Sequence, residues 1–161
     1  MRRRRRMKAI QRLILVVIAL LITVTVVSVI IAYGISESRI NRTHDLDAGA
    51  LTLQAGPRDR ERGERLVMGI LQCASCHDRD LGGKTAVDTS IGRVVPPKIT
   101  MGQGSVTSRF QDADWARAIR HGLKADMKGL WNMPTDRFRH LHDRDLADSI
   151  AFPVTLKPVH R

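Results

Sequence analysis

The chain has 161 residues, with 27 Lys and Arg against 16 Asp and Glu, a net charge of +11, and two cysteines. That length holds one modest domain and an appendage. The charge argues against a nucleic-acid-binding protein because seven basic residues crowd ahead of residue 13 with no acid among them, which leaves 20 basic against 16 acidic side chains elsewhere.

The first predicted element is a membrane span. Leu13 to Tyr33 is an apolar run whose only polar members are Thr23, Thr25 and Ser28. At about 1.5 Å per residue it covers roughly 30 Å, the thickness of a bilayer's hydrocarbon core. A soluble core helix of that length would show a polar face. Arg2 to Arg6, Lys8 and Arg12 abut the run and read as a positive-inside signal, with residues 1–12 cytoplasmic and everything after Tyr33 outside. Ala32-Tyr33-Gly34 resembles a small-residue cleavage site, but the run exceeds the 7–15 residues of a typical signal core. An uncleaved signal anchor over 13–33 is therefore expected. No cysteine lies near residue 34, which excludes a lipoprotein anchor.

Residues 34–57 are polar and without apolar periodicity, and read as a linker. From Arg58 to Gln72 the pattern turns helical, with Leu66, Val67, Ile70 and Leu71 as an apolar stripe. Gly82 to Gly104 is rich in Gly, Pro, Ser and Thr and reads as loop. Asp112 to His121 is a second helix, acid-first and followed by Gly122, and Asp143 to Ala151 a third that Pro153 stops. No stretch alternates convincingly as a strand. The domain over 58–161 is thus all-α, three or four short helices among long loops. Such a chain buries too little apolar surface to fold comfortably alone, so something large and apolar is expected at its centre.

Cys73-Ala74-Ser75-Cys76-His77 supplies a candidate for it. C-x-x-C-H is the pattern of c-type haem attachment. Two thiols three residues apart can each form a thioether with one porphyrin, and the next histidine is held beneath the iron. One covalent haem c is expected, with His77 as iron ligand. A dithiol oxidoreductase would usually show a βαβ pattern, and a structural zinc site would want a second ligand pair. For the other iron position Met133, followed by Pro134 late in the domain, is favoured. Met101 and Met127 compete with it, and His140 and His142 stand further out. Met7 lies on the wrong side of the span and Met68 too near the cysteines.

These residues resemble class I, mitochondrial-like monohaem cytochromes c. They are most similar to the membrane-bound cytochrome subunits and domains serving periplasmic sugar and alcohol dehydrogenases. The matching pieces are Arg62-Gly63-Glu64 through Val67, Cys73 to His77, Pro97 to Thr100, Asp112 to Gly122, Met133-Pro134 and Asp143 to Phe152. The resemblance implies a small cytochrome c fold in which Cys73 and Cys76 hold the haem and His77 and Met133 ligate its iron. It implies that Pro97 offers its backbone carbonyl to the histidine's other nitrogen, and that Gly63 lets the first and last helices cross near Phe152. Arg65, Lys98 and Pro153 depart from the pattern and suggest a looser crossing and a shorter last helix.

The expected function is single-electron transfer on the periplasmic side of a bacterial inner membrane. The partners would be redox proteins, such as a dehydrogenase, respiratory complex or oxidase, with no nucleic acid, no small-molecule substrate and no catalysis by the chain itself. A haem-based sensor or gas-binding protein with a labile sixth ligand is the alternative. Trp115 and Trp131 read as packing residues, and His121 as a favourable charge at a helix end. Arg117 and Arg120 read as solvated, with a haem propionate as a conceivable partner for one of them.

Overall fold

The computed structural model describes residues 2–54 and 56–159, which fall into two units divided between Arg42 and Thr43. The protein is mostly helical.

The first unit is one helix, α1, Arg2–Asn41, with no buried residue. It is long and apolar enough to cross a membrane, as a span or as a signal sequence. Thr23 and Thr25 donate their hydroxyls to the carbonyls of Ala19 and Leu21, at 2.9 and 2.8 Å. Both threonine hydroxyls are thereby satisfied inside the helix, as a lipid environment requires. The helix runs eight residues past Tyr33, where the sequence suggests a linker. Its end is held by Asn41, whose side chain donates to the Glu37 carboxylate at 2.6 Å. A one-turn bond of this kind leaves no apolar signal.

The second unit opens with residues 43–54, again within the expected linker. This stretch is packed. His44 N–H donates to the Met127 carbonyl, Gln54 N–H donates to Asp143, and Leu53 lies against the core. A 3₁₀ turn at Ala48–Leu51 is started by Asp47, whose carboxylate accepts the Gly49 N–H.

Helix α2, Arg60–Arg65, is capped by Asp59, which accepts the Arg62 N–H at 2.9 Å. It continues as a π-helical turn over Leu66–Ile70 and closes with Leu71 N–H on the Leu66 carbonyl. A single turn, α3, Cys73–His77, follows. Two three-residue strands, β1 Val87–Thr89 and β2 Gly92–Val94, pair as an antiparallel hairpin inside the region read as loop. Strands this short cannot display a period of two. Helix α4, Asp112–His121, has the expected bounds. Its entry is fixed by Asp114, which accepts the Gln111 N–H, and its exit by Gly122 at φ +65°. A 3₁₀ turn over Thr135–Arg137 precedes the last helix, α5.

Helix α5, Asp143–Thr155, corrects two expectations. It passes through Pro153 instead of stopping at Ala151. The proline costs a backbone donor, but only two residues remain and Thr155 Oγ1 donates back to the Ala151 carbonyl at 2.9 Å. The crossing with α2 is also not loose. A Cβ at Gly63 would lie 1.9 Å from the Asp148 carbonyl oxygen, and Arg60 stacks over the Phe152 ring. Arg62 bridges Asp145 and Asp148, and Asp148 also accepts the Asp59 N–H, so one carboxylate ties the helix start to the crossing. Two apolar clusters form the core. Trp115, Ala116, Leu146 and Ile150 join α4 to α5, and Val67, Leu81 and Phe152 join the π-helical turn to α5. Ile99 touches both.

Candidate cofactor-attachment site

The segment carrying Cys73, Cys76 and His77 is fixed by its ends. Gln72 takes a left-handed conformation at φ 53°, and its carbonyl accepts both the N–H and the hydroxyl of Ser75, at 3.0 and 2.7 Å. Asp78, at φ 72°, turns the chain out again. Non-glycine residues rarely hold this conformation, and two of them bracket five residues here. Cys73 is half-buried and packs against the Val67–Leu81–Phe152 cluster, whereas Cys76 is exposed. The two thiols are not joined to each other.

His77 is half-buried, and its Nδ1 lies 2.8 Å from the Pro97 carbonyl oxygen. A carbonyl can only accept, so Nδ1 carries the proton and Nε2 keeps its lone pair. Three backbone links hold this geometry. Gly83 N–H donates to the His77 carbonyl, Leu81 N–H to Asp78, and Ile99 N–H to Leu81. Gly83, at φ +78°, lets the two loops touch, since a Cβ there would lie 2.9 Å from the Pro96 carbonyl oxygen and the Lys98 nitrogen. Burial pushes the His77 pKa down, partly opposed by the Pro97 carbonyl, and so favours the neutral ring. Burial pushes the Cys73 thiol up to about 11.

Met133 stands on a different segment, half-buried between α4 and the 135–137 turn. Its carbonyl accepts the Thr135 N–H at 2.8 Å, and Thr135 fills the space beside Gly122. Met101 is half-buried in the loop before α4. Met127 is half-buried at φ 62° in the turn bridged by Leu123 and Gly129. His140 is exposed. Trp115 is core, but Trp131 is 76% exposed. Arg117 and Arg120 are not solvated. They are largely covered and pair with Asp114 and Asp143, both at 2.7 Å; the first is an i,i+3 pair within α4, and the second reaches a carboxylate on α5 that no local pattern reveals.

The donor set suits a covalently attached haem. Two unjoined thiols sit on one turn beside an imidazole whose orientation is set through Nδ1 and whose Nε2 keeps its lone pair. A dithiol oxidoreductase is served poorly, because its attacking thiol is normally lowered in pKa, and Cys73 is raised. Among the described residues no three His, Cys, Asp or Glu side chains gather as a metal site, so structural zinc has no assembled ligand set. Sequence reasoning missed Leu81, Gly83 and the 43–54 segment. Only the loop glycine left a trace, and that trace did not say which loops meet.

No known family profile and no solved structure matches the chain. Three curated proteins do. The fructose dehydrogenase cytochrome subunit of Gluconobacter japonicus is 31% identical over 105 residues, 61% of this chain and 21% of that protein. The diheme cytochrome c-type protein of Cereibacter sphaeroides is 29% identical over 113 residues, 64% of this chain and 38% of that protein. The chain is similar to cytochromes c. A nicotinate dehydrogenase subunit of Pseudomonas putida adds a third likeness, 31% over 106 residues, 63% of this chain and 9% of that protein. The chain therefore spans well under half the length of each relative.

Proposed function

We propose that the protein is an electron carrier, or the electron-transfer subunit of a dehydrogenase complex, bearing one covalent haem c. Cys73 and Cys76 would hold the haem through thioethers, and its iron would supply the one-electron chemistry. His77 would ligate iron through Nε2, and Pro97 would fix the ring by accepting from Nδ1, as the resemblance implies. Met133 would supply the second side-chain ligand to the iron. A Met/His pair would raise the haem's potential, which suits electron transfer. Cys73 and Cys76 make one attachment pair, enough for one covalent haem. The relatives' names, a cytochrome subunit and a diheme cytochrome, support this reading.

The membrane placement belongs to the same proposal. Helix α1 would anchor the chain with its arginine tail cytoplasmic and residues 58–161 periplasmic, raising the carrier's concentration near membrane-bound redox partners.

The observation that carries the proposal is the His77 Nδ1 contact with Pro97, directly after an unjoined Cys-x-x-Cys pair. The test is the optical spectrum of the purified oxidised protein. A methionine–iron band should be present, vanish in Met133→Ala, and persist in Met101→Ala and Met127→Ala. Loss of the band in either of the latter reassigns the ligand. Its absence from the unmodified protein favours the sensor.

A further inference from the structure

At the start of α5 lies an open cleft of about 660 Å³ whose lining is strongly one-sided in charge. Arg120 and His121 come from the end of α4, Arg139, His140 and His142 from the connecting segment, and Arg144 from α5. The one carboxylate among the lining residues, Asp143, is already committed. It pairs with Arg120 at 2.7 Å and accepts the Gln54 N–H at 2.8 Å. Arg120 also donates to the Leu141 carbonyl, and its Nε is buried without an acceptor.

The other two arginines are held only loosely. Arg139 reaches Asp136 at 3.7 Å and Arg144 reaches Asp148 at 3.9 Å, with side chains 59% and 73% exposed. Pairs at that distance and exposure contribute little and exchange readily. Two guanidinium forks and the imidazoles of His140 and His142 therefore line one cleft with most of their donors unspent, while His121 Nε2 lies 3.3 Å from the Ala50 carbonyl oxygen. The volume lies within the range of small-ligand sites. Fork-shaped donors match planar or tetrahedral oxyanions through paired hydrogen bonds.

We propose that this cleft binds a compact multivalent oxyanion, gripped by Arg139 and Arg144 above the neutralised Arg120–Asp143 pair. The site is independent of the haem reading, since Cys73, Cys76, His77, Pro97 and Met133 are not among its lining residues. Three stretches of chain, 50–54, 120–121 and 139–144, converge on this open cleft, which suits a compact anion held among them.

The test titrates the full chain in neutral detergent with inorganic pyrophosphate, against sodium chloride at matched ionic strength, following the imidazole NMR signals of His121, His140 and His142. Saturable shifts of these three are expected with pyrophosphate and not with chloride. The double variant Arg139→Gln/Arg144→Gln should weaken binding roughly tenfold or more, and Arg139→Lys/Arg144→Lys should recover part of the loss. Both side chains are exposed, so an unchanged spectrum elsewhere verifies the fold. Linear, chloride-like shifts overturn the proposal. So does a double variant that binds as tightly as the unmodified chain, since the anion would then sit on the arginine tail. Binding to phosphatidylglycerol vesicles that depends on these arginines and is not displaced by pyrophosphate also overturns it, and makes the surface a membrane contact.

Discussion

The backbone carbonyl of Asp148 occupies the space that any side chain at position 63, a glycine, would need, with 1.9 Å separating it from the place of a Gly63 Cβ. Backbone oxygen cannot swing away like the tip of a side chain. Gly63→Ala should therefore force α2 and α5 apart and cost about 2–3 kcal/mol. For a domain of this size the melting temperature of the purified full chain should fall by roughly 8–20 °C. A fall of only a degree or two would mean the crossing slides freely.

Asp148 gives the same crossing a pH dependence. Its side chain is 1% exposed, and burial alone would raise its pKa, but the Asp59 N–H and the Arg62 guanidinium outweigh burial and hold it below the usual carboxylate range. A carboxyl whose folded value lies below its unfolded one, ordinarily about 4, stabilises the fold above that value. The contribution is lost as pH falls through the folded value. Asp148→Asn should thus cost about 1–3 kcal/mol at pH 7 by urea unfolding, and the gap from the unmodified protein should shrink steadily below pH 4. A gap that stays constant down to pH 3 would contradict the ion-pair account.

Gly83 is the hinge of the His77–Pro97 contact. Gly83→Ala combines a φ of +78° with a Cβ 2.9 Å from the Pro96 carbonyl oxygen and the Lys98 nitrogen, so the two loops must part. The expected result is a lower yield of haem-loaded protein and an upward shift of its midpoint potential, because a His77 ring that loses the Pro97 acceptor would be a less basic ligand and would stabilise ferric iron less. An unchanged potential at full haem loading would show that Pro97 does not tune the ligand.

Much of this was legible in the sequence where the signals were local. The α4 bounds follow from Asp114 and Gly122, whose effects reach one turn, and the 13–33 run is contained whole in α1. Expectations failed where the decisive partner was distant. Residues 43–54 are bound through Met127, Asp143 and the core, none of which leaves a period in that stretch. The tight α2–α5 crossing needed Arg60 and Arg62 as its cover, and Arg65 drew attention instead. At the candidate site, the motif names Cys73, Cys76 and His77. The Leu81–Ile99 and Gly83–His77 links that aim the ring are backbone bonds, and apart from the glycine at 83 no side chain marks them.

The most direct measurement is the intact mass of the chain after expression in a host that exports it and matures c-type cytochromes. The account predicts polypeptide plus one haem, with Cys73→Ser/Cys76→Ser at bare polypeptide mass. Unmodified chain recovered in the membrane or periplasm at bare polypeptide mass would contradict it.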